Sequence, residues 1–124
     1  MKKSILIFVG LMTVYAGIAL TDSEYRGLMS SPAVYANKVY DAKGEVLQLV
    51  TEEELMLYRV EIDGSRIIMV MGKKGIMPDY LEGDYVSFIR LVFFNTTTYS
   101  TVLGASKTVP LFLYVPGGSS AYRY

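Results

Sequence analysis

The side chains that could carry chemistry in this chain are cations, carboxylates and tyrosines, because the sequence contains neither cysteine nor histidine. Their absence excludes zinc sites of the usual kind, thiol redox chemistry, disulfides and Ser-His-Asp catalysis. The carboxylates cluster at Glu52–Glu54 and between Asp79 and Asp84, without the spacing of a calcium-binding loop. We therefore expect a non-enzymatic protein with no metal, no cofactor and no catalytic residues.

An apolar segment is the first candidate for contact with a ligand or partner. Ile67, Met69 and Met71 alternate with Ile68 and Val70, so both faces of this segment are apolar. One face must be core, and the other is either an exposed patch or is covered by another part of the chain or by a partner. Methionine side chains adapt to varied partners. The alternative is that a small barrel buries both faces locally.

Cations and aromatic rings are the second group of candidates. Lys73 and Lys74, with Arg90 and Lys107, could form a small basic spot for a phosphate group or an anionic membrane surface. Tyr99 could stack on a sugar or a base. The alternatives are a solvated loop end for the lysines and a half-buried position at a barrel rim for the tyrosine.

The charge balance argues against nucleic acid as the partner. Lys2 and Lys3 are the only charged residues before residue 21, so residues 21–124 carry ten basic and twelve acidic side chains. Nucleic-acid binding requires a clustered positive surface. We expect a protein partner or a small ligand instead, with single-stranded nucleic acid as the weakest alternative.

Residues 1–20 predict export. After the two lysines, the sixteen residues from Ile5 to Leu20 carry no charge, a pattern typical of a secretory signal, here with cleavage after Ala19. The alternative is an uncleaved membrane anchor, although sixteen helical residues span about 24 Å against a hydrocarbon core of about 30 Å. Either alternative places the domain in the periplasm or at the cell surface, and an anchor would add membrane association through residues 5–20.

The rest of the chain predicts five strands. We expect residues 21–37 to form a short helical or extended lead-in, residues 38–115 to contain the strands, and residues 116–124 to form a flexible tail. The strands are expected at 38–50, 56–62, 66–71, 85–94 and 108–115. Gly44 marks a bend in strand 1, and Asp63-Gly64 makes a tight hairpin turn between strands 2 and 3. One helical turn is expected at 78–81, and a polar loop before strand 5.

This strand order is that of an all-β, five-stranded Greek-key barrel of the OB type, with a small β-sandwich or an SH3-like barrel as the alternative. The segments VYANKVYDAKGEV (34–46), LEGDYVSF (81–88) and GASKTVPLFLY (104–114) support it. Through them the chain resembles small exported bacterial proteins with a tRNA-anticodon-binding-like OB-fold. That family pattern has a glycine in mid-strand 4, near Ile89 and Arg90, where this chain has none. The resemblance implies a fold and no catalytic residues.

OB barrels commonly bind ligands across strands 2 and 3 and the adjoining loops. We therefore expect a non-enzymatic binding module at the bacterial envelope, with a membrane-anchored structural subunit of an envelope assembly as the alternative. The predicted contact residues are Arg59 on strand 2, Ile67, Met69 and Met71 on strand 3, Lys73 and Lys74 after it, and Tyr99 before strand 5.

Overall fold

The computed structural model describes residues 17–122, of which 57% lie in strands. The elements are β1 (Ile18–Ala19), α1 (Asp22–Ser30), α2 (Pro32–Tyr35), β2 (Val39–Glu52), β3 (Leu55–Ile62), β4 (Arg66–Lys73), β5 (Tyr85–Ser100), β6 (Ser106–Leu113) and β7 (Ser119–Tyr122). No helix within this range is both long and apolar enough to cross a membrane. Residues 1–16, the greater part of the predicted signal or anchor, lie outside it.

Five strands form a closed ring of hydrogen bonds. β2 pairs antiparallel with both β3 and β5, β3 pairs antiparallel with β4, and β5 pairs antiparallel with β6. A parallel pairing of β4 with β6 closes the ring. β1 and β7 extend this sheet along β2 and β5, so the whole is one mixed seven-stranded sheet. The predicted β class is confirmed, and the ring is compatible with a barrel-like fold.

The core lies inside the ring and follows from the alternation of apolar residues. β3 buries every second side chain from Met56 to Ile62, while the side chains between them are partly exposed. Three buried aromatic rings meet in the interior. The centroid of Phe112 lies 6.0 Å from that of Tyr40 and 5.5 Å from that of Phe93, distances at which aromatic pairs attract one another.

Helix α1 packs on the ring. Thr21 caps its start, since the Thr21 hydroxyl accepts the backbone N–H of Glu24 at 3.2 Å. Leu28 is fully buried in the core, and the Tyr40 hydroxyl donates to the Glu24 carboxylate at 3.1 Å. Burial, reinforced by the charge of Glu24, raises the pKa of Tyr40. The lead-in is therefore part of the packed structure.

The two longest strands bend together at a β-bulge. Ile89 and Arg90 of β5 both lie opposite Asp41 of β2. Arg90 adopts a φ of 57°, the left-handed region that disfavours residues with a side chain. Its backbone N–H donates to Asp41 Oδ1 at 3.0 Å. The strand thus bends where the family pattern has a glycine, although the residue here is arginine.

Gly44, predicted to mark the bend in the first strand, lies where β2 passes from β5 to β3. It pairs with Ile62 on one side and Val86 on the other, and a Cβ there would collide with the carbonyl oxygen of Glu61. The register shifts of β2 fall elsewhere along the strand. Glycine is therefore required at this position for close approach of the neighbouring strand.

No helical turn forms at 78–81, contrary to the prediction. The Asp84 side chain is buried and accepts the backbone N–H of Leu81 at 2.8 Å. An aspartate that bonds a nearby backbone N–H offers the chain an alternative to helical hydrogen bonds. The segment consequently enters β5 through a turn.

The predicted polar loop before strand 5 is mostly strand. β5 continues to Ser100 and β6 begins at Ser106, so residues 96–110 form a two-stranded ribbon, which we call the hairpin arm. The hydroxyl oxygens of Thr98 and Thr108 lie 2.9 Å apart across it. Threonine is polar but β-branched and favours strands, so polarity alone was misleading here.

The tail also differs from its prediction. Ser119–Tyr122 pairs antiparallel with the first residues of β5. Gly117 adopts a φ of 76°, and the backbone N–H of Ile89 donates to the Gly118 carbonyl at 2.8 Å. The Pro-Gly-Gly sequence, typical of a linker, is a turn that returns the chain to the sheet.

We expect the bulge to depend on Asp41. Asp41→Ala removes the acceptor of the Arg90 N–H and should lower the free energy of unfolding by about 1–2 kcal/mol, measured by urea denaturation. Asp41→Asn keeps an acceptor oxygen and should lose less. Arg90→Gly removes the left-handed strain and should leave stability unchanged or raise it slightly. Marked destabilisation by Arg90→Gly would contradict this account.

Candidate functional site

The outward-facing side of β3 and β4 brings together most of the predicted contact residues. Arg59 of β3 lies opposite Met69 of β4, and Leu57 lies opposite Met71. Ile67 lies on the same side of β4, two residues before Met69. We call this surface, formed by these five residues, the β3–β4 outer face.

Met69 is covered on this face although it points away from the core. Its neighbours Ile68 and Val70 belong to the core cluster, whereas Met69 does not. Its exposed fraction is nevertheless only 1%, and its register partners are Arg59 of β3 and Leu111 of β6. Met69 is therefore not accessible itself, and the half-buried Ile67 and Met71 form the accessible apolar part of the β3–β4 outer face.

Tyr99 reaches the β3–β4 outer face from the hairpin arm. The guanidinium carbon of Arg59 lies 5.7 Å from the centroid of the Tyr99 ring. This is the geometry of a cation–π contact, which typically contributes about 0.5–1 kcal/mol when partly exposed. Tyr99 pairs with Lys107 close to the turn of the arm, so the outer part of the arm lies over the β3–β4 outer face. Two predicted site residues from distant parts of the sequence therefore meet.

Helix α1 borders the same surface. The Tyr25 hydroxyl donates to the carbonyl oxygen of Ile67 at 2.8 Å, and the guanidinium carbon of Arg66 lies 5.4 Å from the Tyr25 ring centroid. Burial raises the pKa of Tyr25; the positive charge of Arg66 opposes this shift and Tyr99 adds to it. Tyr25 and Arg66 were missed in the sequence, since no periodicity connects a helix in the lead-in with β4.

The two arginines at this surface differ in their charge partners. Arg66 is bracketed by the carboxylates of Asp22 and Asp63. Arg59 forms no ion pair within residues 17–122, and its Nε is buried with no hydrogen-bond partner there. A buried donor without an acceptor costs about 1–3 kcal/mol. Guanidinium groups pair readily with carboxylate or phosphate, so Arg59 can hold an anionic group beside an apolar and aromatic surface.

Lys73 and Lys74 do not join this cluster. They lie at the far end of β4, in a shallow cleft that they line together with Glu53 and Glu54. The backbone N–H of Lys74 also donates to the Glu54 carbonyl at 2.9 Å. The two lysines are therefore neighbours of two carboxylates, and the cleft as a whole is not basic.

The N-terminal end of the described chain is hydrogen-bonded to β2 beside the bulge. Ile18–Ala19 pairs in parallel with β2, and the backbone N–H of Leu20 donates to the Asp41 carbonyl at 3.0 Å. Leu20 is 6% exposed. A cleft of about 280 Å³ opens here, and it is lined by Ala19, Leu20, Asp41, Ala42, Lys43, Ile62, Asp63, Ser87, Phe88 and Ile89. Sequence reasoning did not find this cleft, because its walls come from four separate segments.

We expect Arg59 to be dispensable for stability. Arg59→Leu removes the unpaired Nε and adds apolar area, which offsets the loss of the contact with Tyr99. The free energy of unfolding from urea denaturation should stay within about 0.5 kcal/mol of the original or increase. Tyr58→Leu, at a buried core position of the same strand, should lose several kcal/mol. An equally large loss for Arg59→Leu would identify the arginine as structural.

Comparisons with known proteins add no information about the function of the β3–β4 outer face. The resemblance to the tRNA-anticodon-binding-like OB-fold family stays a prediction, and the five-strand ring is the part that the structure supports. No protein-family model, no curated protein and no solved structure matches this chain.

Proposed function

We propose that this protein is an exported, non-enzymatic binding module on an OB-type barrel, and that its β3–β4 outer face binds an anionic group of a protein or small ligand. The observation that carries the proposal is Arg59. Its guanidinium is half-buried, it contacts the Tyr99 ring, and it forms no ion pair within residues 17–122. A cation that does not serve folding is available for a ligand.

The order of the ring supports the OB type over a sandwich. The first long strand, β2, pairs with both its successor and β5, and the third ring strand, β4, runs parallel to the fifth, β6. Greek-key connections of this kind close a five-stranded OB barrel. The β3–β4 outer face then occupies the position where OB barrels commonly bind their ligands.

Export is proposed from the sequence of residues 1–20. The lysine pair and the uncharged run that follows indicate a secretory signal or an anchor. The location that follows is the periplasm or the cell surface. A non-enzymatic role is proposed because no motif organises the arginines and carboxylates into a catalytic site.

The surroundings of Arg59 restrict the ligand. Arginine recognises carboxylate and phosphate groups, while Ile67, Met71 and the Tyr99 ring favour an apolar or aromatic group beside the charge. A peptide carboxylate next to an apolar side chain and a small aromatic acid share this chemistry. Long anionic polymers fit less well, because the neighbouring lysine cleft also contains Glu53 and Glu54.

Simple aromatic anions test the proposal. Phenylacetate and phenyl phosphate should shift the methyl resonances of Met69 or Met71 at millimolar concentrations, and neutral phenylacetamide should bind at least about tenfold more weakly, because it offers no charge to Arg59. The buried core residues Met56 and Met77 serve as internal references. Binding is measured by NMR titration of methionine methyl groups in the protein as it is recovered from cells.

Two variants separate the site from general charge effects. Arg59→Leu should abolish the preference for the anions over the amide. Lys73→Leu, which removes an exposed cation further along the same side of β4, should retain it. Equal binding of anion and amide by the unmodified protein, or an equal loss in both variants, would contradict the proposed site.

A second candidate function is a structural subunit held at the membrane by residues 1–20. The observation in its favour is that Ile18–Ala19 and Leu20, the last residues of the apolar run, are hydrogen-bonded to β2. The candidates differ in whether the cellular protein keeps residues 1–19. The anion site is compatible with both.

A further inference from the structure

The turn at the end of the hairpin arm carries the most exposed apolar side chains in the described chain. Val102 is 102% exposed and Leu103 is 92% exposed. Among the other exposed large hydrophobic residues of positions 17–122, the highest fraction is 72%, at Val34. Transfer of two adjacent aliphatic side chains from water to an apolar surface is favourable, so a surface that covers them would lower the free energy.

Among residues 17–122, the outer part of the hairpin arm is hydrogen-bonded only within itself. β6 pairs with β4 only over Leu111–Leu113, whereas Ser106–Pro110 pairs only with β5 in the described structure. Five strand residues span about 16 Å. Val102 and Leu103 therefore lie at the end of a two-stranded ribbon that contacts the β3–β4 outer face through Tyr99.

Hydrogen bonds within the turn fix the backbone that carries these two side chains. The backbone N–H of Thr101 donates to the Ala105 carbonyl at 2.7 Å, and the N–H of Gly104 donates to the Thr101 carbonyl at 2.9 Å. Gly104 adopts a φ of 85°, which glycine allows without strain. These internal hydrogen bonds lower the cost of moving the turn out of water.

The charged side chains that follow Asp84 in the sequence are all positive. Asp84 is the last acidic residue of the chain, and the residues after it include Arg90, Lys107 and Arg123 as their only charged side chains. Lys107 lies on the arm, exposed, opposite Tyr99. Next to the turn stand the hydroxyl side chains of Ser100, Thr101 and Ser106. The arm is therefore apolar at its end, then uncharged and polar, then positive.

We propose that Val102 and Leu103 insert into a lipid bilayer surface, with Lys107 at the level of anionic headgroups. A stable protein interface needs about 800 Å² from each partner, and two side chains at a convex turn do not supply that area. A bilayer needs no complementary shape, since apolar side chains enter the acyl boundary and polar ones stay among the headgroups. This contact does not involve residues 1–20.

Tryptophan fluorescence tests the insertion directly, because the chain contains no tryptophan. Leu103→Trp places a single reporter at the turn. On addition of vesicles of phosphatidylglycerol and phosphatidylcholine, its emission should shift to shorter wavelength and be quenched by brominated acyl chains. Phe94→Trp, 54% exposed on the same strand but before the arm, is the matched control and should show neither effect, even if residues 1–20 hold the protein on the vesicle.

The charge dependence provides a second readout. With Leu103→Trp, Lys107→Gln should reduce the apparent affinity for phosphatidylglycerol vesicles about fivefold and leave that for pure phosphatidylcholine vesicles unchanged. The inference is overturned if the emission of Leu103→Trp ignores both kinds of vesicle while circular dichroism shows a folded protein. It is also overturned if the shift appears without lipid as protein concentration rises, which would assign the turn to self-association.

Discussion

The hydrogen bond from the backbone of Arg90 to the carboxylate of Asp41 holds the bend on which the ring depends. β2 pairs with β5 along its first half and with β3 along its second, and β5 passes from β2 to β6 in the same way. Strands that change neighbours must bend, and a bulge is the usual means. The left-handed conformation of Arg90 costs free energy, and the charge-assisted hydrogen bond at 3.0 Å offsets this cost.

The closed ring in turn decides what each face of β3 and β4 can do. Inward-facing residues such as Val60 and Val70 form part of the core, so the outward-facing residues of the same strands are available for other contacts. The pairing of β4 with β6 places the hairpin arm next to this outer side, and Tyr99, near the turn of the arm, contacts Arg59. The candidate site thus depends on ring closure, and its arginine lacks the carboxylates that Arg66 has. The turn of the same arm exposes Val102 and Leu103 to solvent.

Local patterns predicted what local physics controls. The alternation of apolar residues and the Asp63-Gly64 pair correctly predicted the β3–β4 hairpin, and β3 buries every second residue as expected. The strand at Ser119–Tyr122 was not predictable in this way, because its partner, the start of β5, is far away in the sequence. The extent of the arm was missed for another reason, since its two strands are polar. Threonine-rich and glycine-rich segments look like loops until such a neighbour is known.

The site was predicted to a similar degree. Arg59 lies opposite Met69 and contacts Tyr99, because the five-strand ring places β3, β4 and the hairpin arm next to one another. Lys73 and Lys74 do not join them, since a run of charge in the sequence says nothing about the carboxylates that fold back beside it. The unpaired state of Arg59 depends on the absence of such a neighbour, which only the structure shows for the described residues.

Amide hydrogen exchange, followed residue by residue by NMR, tests the closed ring most directly. The account predicts slow exchange for the amide of Arg90, and equally slow exchange for the amide of Tyr114, which donates to the Met71 carbonyl across the parallel closure at 2.8 Å. The amides of Val102 and Leu103, at the exposed turn, should exchange fastest in the sheet region. If the Arg90 and Tyr114 amides exchanged as rapidly as those of the turn while the β3–β4 hairpin stayed protected, the ring would be open, and the meeting of Arg59 with Tyr99 would lose its structural basis.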